Sequence, residues 1–279
     1  MEVAYQGEPG AFSEQAARAF FGSGVQLRPF AAFDDVFVFA ARVPRSAAIV
    51  PIENSTSGSI LENYDLLLKH NLRIIGEIKL RIHLHFMALP GSKLRSMTSV
   101  YSHPQALKQC DQFLRKFKLR PVPHYDTAGS AKIIKEQRLR DVGALASRRA
   151  AQVYSLRILK RNVETQHRNY TRFLILSRTT RVKALDVSSS KSKTSLVFSV
   201  RNVPGALFKA IGVFALREIN LLKIESRPLI RKPWEYLFYL DVEGSTREKK
   251  LLGAIDHLKE LCTSVRVLGS YPQGRTVEA

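Results

Sequence analysis

The chain has 279 residues, 45% of them hydrophobic, and a formal net charge of +20 from 44 Lys and Arg against 24 Asp and Glu. That length exceeds the usual single domain, so two domains with separate cores are expected. No apolar run reaches the roughly 18 residues that cross a bilayer, and Met1-Glu2-Val3 lacks the start of a secretory signal, so a soluble, unsecreted chain is expected.

The charge raises nucleic-acid binding, and its distribution weakens it. Basic residues fall in short clusters such as Arg115-Lys116, Arg148-Arg149 and Lys191-Ser192-Lys193, with no recognition helix or aromatic platform beside them. A solvated basic surface that draws in a dianionic substrate is the plainer reading. Cys110 and Cys262 sit on helical apolar faces and read as reduced core thiols, so no disulfide framework is expected.

In chain order, short apolar strands alternate with helical patterns, which argues for an α/β architecture with largely parallel strands. Val3 to Gln6 reads as a strand. Phe12, Ala16, Ala17 and Phe20 follow at helical spacing, with Gly22 as the stop. Ala47 to Val50 is a buried strand, then a Glu53 to Gly58 loop feeds a helix striped by Ile60, Leu61, Tyr64, Leu67 and Leu68. A loop where a strand feeds a helix is a common ligand position in open α/β sheets.

From Ile78 to Phe86 every even position is apolar, the alternation of a strand with one wet face, read here as a crossover between two lobes. The second lobe is expected over about residues 90–160, with a helix carrying Leu107, Cys110, Leu114 and Phe117 and a strand near Val142. The chain returns to the first lobe at Thr171 to Leu176, completing a domain over residues 1–180. Residues 178–193 are polar, basic and Ser-rich and read as a linker. A second domain, residues 194–273, then follows the order strand (Thr194 to Val200), helix (Gly205 to Leu216), strand (Leu221 to Ser226), strand (Tyr236 to Val242), helix (Lys249 to Leu261) and strand (Val265 to Leu268), which is βαββαβ, ferredoxin-like.

The densest chemical signal is Asn169-Tyr170-Thr171-Arg172-Phe173, which sets a hydroxyl, a guanidinium and a ring side by side. On a regular strand Thr171 and Phe173 share one face and Arg172 the other; a bulge is needed to bring all three to one ligand. With Pro51-Ile52-Glu53-Asn54-Ser55-Thr56-Ser57-Gly58, Ser102-His103-Pro104-Gln105, Asp126-Thr127-Ala128-Gly129 and Ala146-Ser147-Arg148-Arg149, in this order and spacing, the chain resembles the prephenate dehydratase family, including the plant-type arogenate dehydratases. Gly205-Ala206-Leu207 and Glu225-Ser226-Arg227-Pro228 are similar to the phenylalanine-sensing motifs of the ACT domain that follows in that family. The sequence departs from the family pattern in two places. Ser155 stands after Tyr154 where glycine is usual, and Glu164 is followed by Thr165 where paired acids are common.

The resemblance implies a two-lobed catalytic domain of the type II periplasmic-binding-protein kind, a cleft between its lobes, and an ACT domain behind it. It also implies decarboxylating dehydration of prephenate to phenylpyruvate with feedback by phenylalanine, or arogenate to phenylalanine directly. A non-catalytic amino-acid-binding regulator on the same fold is the alternative. Aromatisation drives such a reaction, so the protein supplies orientation, a hydrogen bond to the departing hydroxyl and partners for carboxylates, and no metal or redox cofactor is required. The resemblance further implies a homodimer or homotetramer with phenylalanine as effector. A cytoplasmic location is expected, or the plastid stroma after trimming of a transit segment.

For catalysis, Thr171 matches the family's essential threonine and is the expected partner of the leaving hydroxyl. Arg172 is a carboxylate clamp or the ion-pair partner of Glu53; Phe173 packs in the core or touches the ring; Asn169 donates to substrate or caps a turn. Asn54, Ser55 and Thr56 offer hydroxyl, amide and backbone donors to an anion at a helix start, or cap that helix. Glu53 is a proton donor if burial raises its pKa, or else an ion-pair partner. Ser102, Gln105 and Thr127 repeat the plan in the second lobe, facing the first across the cleft. His103 reads as a cap, and His83 and His85, two apart on a strand, as structural. A nucleophile elbow, phosphate loop and dinucleotide fingerprint are missing from the sequence. For the effector, the resemblance points to Gly205, Ala206, Leu207, Asn220, Glu225, Ser226, Arg227 and Pro228, at an interface between ACT domains.

Overall fold

A computed structural model describes residues 1–179, 188–229 and 235–278. The chain divides into two compact units, one of Met1–Asn71, Ile78–Val187 and Arg275–Ala279, the other of Leu72–Glu77 and Ser188–Gly274.

The first unit begins with β1 (Glu2–Gln6), α1 (Phe12–Phe21), β2 (Gln26–Phe30), α2 (Phe33–Arg42) and β3 (Ser46–Asn54). Helix α1 stops where the sequence puts Gly22, whose φ of 84° only glycine takes without strain and whose N–H bonds the Arg18 carbonyl. The expected loop at Glu53 is shorter than read: Glu53 and Asn54 end β3, which turns back through β4 (Gly58–Ser59) into α3 (Leu61–Lys69). Strands β2, β1 and β3 pair in parallel, and β11 (Tyr170–Ser177) closes on β3 antiparallel, so the sheet is mixed. Val3, Ala47, Ala48, Ile49, Val50, Ile175 and Leu176 are all fully buried, as a sheet covered on both faces requires.

The alternation holds in burial from Ile78 to Leu84 and fails at His85, which is buried where the wet face was expected, and the segment is two strands, β5 (Arg73–Arg81) and β6 (His85–Ala88). Between them the backbone leaves the ladder: the Ile82 N–H bonds the Asn169 carbonyl, and the Leu84 N–H bonds the Glu164 carboxylate at 3.0 Å. This is the crossing from the first lobe to the second. The second lobe continues with β7 (Ser99–Ser102), α4 (Pro104–Gln109), α5 (Asp111–Lys116), β8 (Arg120–Pro123), α6 (Thr127–Gln137), β9 (Val142–Ala146), α7 (Arg148–Val153) and β10 (Arg157–Lys160), in a sheet ordered β10-β6-β9-β7-β8. The single helix expected around Cys110 is broken there into α4 and α5. Ser155, where the family usually has glycine, takes φ 54°, the left-handed conformation that glycine favours. Residues 161–169 carry the chain back to β11. Two α/β lobes joined by two crossings make the type II periplasmic-binding-protein architecture.

The second unit has β12 (Ser188–Ser199), α8 (Ala206–Ala215), β13 (Leu221–Pro228), β14 (Tyr236–Glu243), α9 (Lys249–Leu261) and β15 (Ser264–Gly274), in the βαββαβ order with sheet order β13-β14-β12-β15. The reading of 178–193 as linker is corrected at its C-terminal end, since β12 starts at Ser188; residues 180–187 lie outside the described residues. Hydroxyls and lysines there look unlike a strand, yet pairing with β14 and β15 and buried partners hold them: Lys193 Nζ lies 2.8 Å from Glu77 Oε1, and Thr194 Oγ1 donates to the Gly244 carbonyl. The face of the sheet opposite Lys193 packs Leu196, Phe198, Leu240 and Val242 against Ala210, Phe214, Ile255 and Leu258 of the two helices, each large side chain contributing about 1.5–3 kcal/mol by burial. In the first unit a last strand, β16 (Thr276–Val277), pairs in parallel with β5 at Lys79 and Leu80. Cys110 is buried and Cys262 partly buried, and both are free thiols.

Candidate active site

A cleft of about 460 Å³ opens between the two lobes. From the first lobe Asn54, Ser57, Ser59, Thr171 and Phe173 line it; from the second, His103, Gln105, Gln109, Asp126 and Thr127. Five helices begin at its wall among the described residues: Ala11, Phe12 and Ser13 of the α1 start, Phe33 of the α2 start, Ile60 capping α3, His103 and Gln105 of the α4 start, and Asp126 and Thr127 of the α6 start all line it. The first-turn N–H groups of a helix have no intrahelical partner and carry partial positive charge, so anionic groups are held well here. No Lys or Arg lines the cleft among the described residues.

Asn54 organises the first-lobe wall with both ends of its amide. Its Oδ1 accepts from Thr56 N and Oγ1 (3.0 and 2.6 Å) and from Ser57 N and Oγ (3.1 and 2.9 Å), which ties the turn. Its Nδ2 faces Asn169 Oδ1 at 2.8 Å and Thr171 Oγ1 at 3.0 Å. Gln109 closes the circuit, donating to Thr56 Oγ1 at 2.7 Å and accepting from Asn169 Nδ2 at 3.0 Å. Thr171 Oγ1 is thus an acceptor toward Asn54, and its own proton is left to point elsewhere.

The ladder between β11 and β3 shifts register between Arg172 and Phe173, yet only Thr171 and Phe173 reach the cleft. Arg172 turns away, with NH1 3.9 Å from Glu53 Oε2, and neither of that pair lines the cavity. Three more residues read as ligand donors lie outside the cleft lining and are held by protein partners. Ser55 Oγ donates to the Arg168 carbonyl and accepts the Tyr170 N–H; Ser102 Oγ, fully buried, donates to the Leu145 carbonyl at 2.7 Å; Thr56 lies within the Asn54 turn. Asn169 is buried behind Thr171 in the amide circuit. Gln109 escaped the sequence reading, although it stands one helical turn from Gln105, on the same face.

The His103 Nδ1 accepts the Gln105 N–H at 3.2 Å, which puts the proton of the neutral ring on Nε2. Burial pushes the His103 pKa below the usual histidine value, against an opposing pull from Asp126. Asp126 is occupied by backbone: its Oδ1 takes the Gly129 N–H and its Oδ2 the Glu8 N–H, the latter from across the cleft. Tyr125 OH and Lys132 Nζ also reach Glu8, each at 3.1 Å, so the rim is stitched shut at that edge. Burial and neighbouring Glu8 raise the Tyr125 pKa.

In the second unit Gly205 is the N-cap of α8 with φ 76°, and a Cβ there would meet nothing within 4 Å, so conformation and not crowding calls for glycine. Ala206 and Leu207 open the helix, Leu207 packing on the core. Asn220 is exposed ahead of β13, its carbonyl taking the Glu243 N–H. On β13, an edge strand, Ser226 and Pro228 are exposed while Glu225 and Arg227 are half-buried, Glu225 lying 3.5 Å from Lys223.

Comparison with known proteins finds relatives of both units. Residues 3–181 match the family described as prephenate dehydratase and residues 194–259 match the ACT domain. "Arogenate dehydratase/prephenate dehydratase 2, chloroplastic" of Arabidopsis thaliana is 44% identical over 286 residues, 99% of this chain and 74% of the relative. Among solved structures, prephenate dehydratase of Arthrobacter aurescens in complex with L-Phe is 27% identical with a TM-score of 0.88, over 98% of this chain and 90% of that one. GqqA, described as a novel type of quorum quenching acylase, is 34% identical with a TM-score of 0.88 over 98% of both chains.

Proposed function

Since the chain belongs to the prephenate dehydratase family, we propose that its cleft carries out the decarboxylating dehydration of prephenate to phenylpyruvate, under feedback by phenylalanine at the ACT unit. The observation that carries this reading is Thr171: a hydroxyl at the cleft, fixed as an acceptor by Asn54 and so free to donate.

In this reading the Thr171 O–H donates to the ring hydroxyl as it departs. A threonine is too weak an acid to release its proton near neutral pH, so the contribution is a hydrogen bond or relay that strengthens as negative charge grows on the leaving oxygen. Asn54 orients that donor, with Asn169 and Gln109 holding Asn54 in turn. The ring rests against Phe173, and the two carboxylates take the helix starts at Phe12 and Thr127 and the side-chain amide of Gln105. The Nε2–H of neutral His103 is a second donor from the opposite lobe. Arg172 supports the turn through Glu53 and does not clamp substrate. Loss of the ring carboxylate as carbon dioxide supplies the electron pair that expels hydroxide, and the ring becomes aromatic.

Arogenate differs only in carrying an amino group on the side chain, and the same donors serve it. The relative named for both activities supports testing the two substrates side by side. An acylase, the activity named for GqqA, needs a nucleophile with a base beside it; the partner of Thr171 Oγ1 is an amide, which takes no proton. The ACT unit would bind phenylalanine around Gly205–Leu207 and Glu225–Pro228, with Asn220 at its edge, in a homodimer or homotetramer. No described helix is long and apolar enough to cross a membrane, and we place the chain in the cytoplasm or, like its plant relative, in the chloroplast.

Product formation from prephenate and from arogenate, with and without phenylalanine, tests the reading in the parent and in Thr171→Ala. Turnover of one or both substrates is expected, falling about 10²- to 10⁴-fold in the variant. A parent inert toward both would overturn it.

A further inference from the structure

The two crossings between the lobes meet at one imidazole. His83 stands in the outbound crossing between β5 and β6, and its Nδ1 lies 3.2 Å from Oε1 of Glu164, a residue of the returning crossing that is 3% exposed. The other oxygen of Glu164 takes the Leu84 N–H at 3.0 Å. On its far side, His83 Nε2 lies 3.1 Å from Oε2 of Glu278, in the segment that follows β16. Glu278 Oε1 lies 3.3 Å from Arg81 NH1, and Arg81 NH2 reaches the His167 carbonyl of the returning crossing at 3.4 Å. Backbone pairing brings the segment there, since Lys79 donates to the Arg275 carbonyl and β16 runs beside β5.

These contacts bear on the cleft directly. Ile82 and Leu84, the residues either side of His83, line its wall. The Ile82 N–H is bonded to the carbonyl of Asn169, the residue that holds Asn54 behind Thr171. A shift in the crossing therefore moves both the cleft wall and the support of the donor hydroxyl, and misplacement of about 1 Å at a reacting centre costs up to about 100-fold in rate.

We propose that Glu278 and His83 are positioning residues of the catalytic unit: the carboxylate of the C-terminal segment latches the imidazole against Glu164, clamping both inter-lobe crossings and so the wall that faces the substrate. Hydrogen bonding from His83 and Arg81 holds the Glu278 carboxyl below its usual range, as a carboxylate engaged by donors requires. The two ring nitrogens each face a carboxylate oxygen, Nδ1 that of Glu164 and Nε2 that of Glu278. Surface ion pairs of this kind contribute little to stability, which is why the effect belongs in the kinetics.

The assignment rests on the dehydratase reading for its rate assay and is separable from it by hydrogen exchange. The full chain is compared with Glu278→Gln, Glu278→Asp, His83→Gln and the Glu278→Gln/His83→Gln pair. Glu278 is two-thirds exposed, so its substitution leaves the fold intact. Expected are faster amide exchange at Leu84, a fall in kcat of about 10-fold with a smaller change in KM, partial recovery in Glu278→Asp, and a double variant no worse than the worse single one. Parent exchange at Leu84 in Glu278→Gln, parent kcat in both single variants, or fully multiplicative losses would each overturn the latch. A parent without turnover would instead sink the dehydratase reading, and Leu84 exchange would still decide the latch.

Discussion

A Cβ placed on Gly10 would stand 2.6 Å from the Cα of Ala150, so the first lobe's Gly10 and the second lobe's α7 approach each other backbone to backbone. The Ser147 hydroxyl seals the same spot by donating to the Gly10 carbonyl at 2.6 Å. Gly10 also has φ 93°, which a side chain rarely adopts.

Gly10→Ala is therefore expected to push the lobes apart where Gly10 meets α7. A loss of about 2–4 kcal/mol is expected from backbone strain and overpacking together. Urea unfolding measures it, and kcat/KM should fall with it. A variant with parent stability and parent kinetics would refute the close approach.

The Asn54 amide and the Thr171 hydroxyl form one unit, and their substitutions should not add. Asn54→Asp keeps the acceptor that ties the Thr56–Ser57 turn but loses both donors and faces Asn169 Oδ1 with a second acceptor. A fall in kcat of about 10²-fold is expected. Combined with Thr171→Ala, the loss should be little more than that of Thr171→Ala alone. Multiplying losses would show that the two act separately.

Ser155→Gly should stabilise the chain. Ser155 holds φ 54°, a conformation that costs a side-chain-bearing residue about 1–2 kcal/mol, partly offset by the extra freedom glycine has when unfolded. The expected gain is about 0.5–1 kcal/mol, read as a higher urea midpoint with an unchanged slope. A lower midpoint would count against the strain.

Stability should fall on mild acidification because of His103 and His85. Burial lowers both pKa values, with an opposing pull from Asp126 on His103 and from Glu164 on His85. Between the folded values and the ordinary 6.5, the unfolded chain binds more protons, so stability rises with pH through that window and levels off above it. Unfolding midpoints at about pH 5.5 and about pH 7.5 measure this. His103→Gln should flatten the dependence, and an unchanged slope would remove His103 from the account.

The elements were legible from the sequence where local pattern decides them. Gly22 marks the end of α1, Lys249–Leu261 reads as a helix to the residue, and the βαββαβ order follows from spacing alone. The pattern failed where distant partners decide. Ser188 to Lys193 looks like a linker and is strand because β15 and Glu77 receive it. The even-numbered stripe through Ile78–Phe86 is buried as read but cannot reveal that Glu164 and Asn169 capture its amides.

At the site, residue types were readable and orientations were not. Ser55, Ser102 and Thr127 look equivalent as hydroxyls at strand ends, yet Ser102 spends its proton on Leu145 and Ser55 on Arg168, and of the three only Thr127 lines the cleft. Arg172 is beside Thr171 in sequence and faces Glu53 in space. Gln109 became visible only when the fold brought Thr56 and Asn169 to its two ends.

The proposed grip on anions by helix starts and amides, with no Lys or Arg among the described residues of the lining, has a consequence for turnover. Partial charges hold two carboxylates jointly, but carbon dioxide departs with one of them. What remains in the pocket has a single carboxylate and a flat ring, matched to half of the grip that captured its precursor. On that proposal, release is written into the same bond-breaking event as the chemistry.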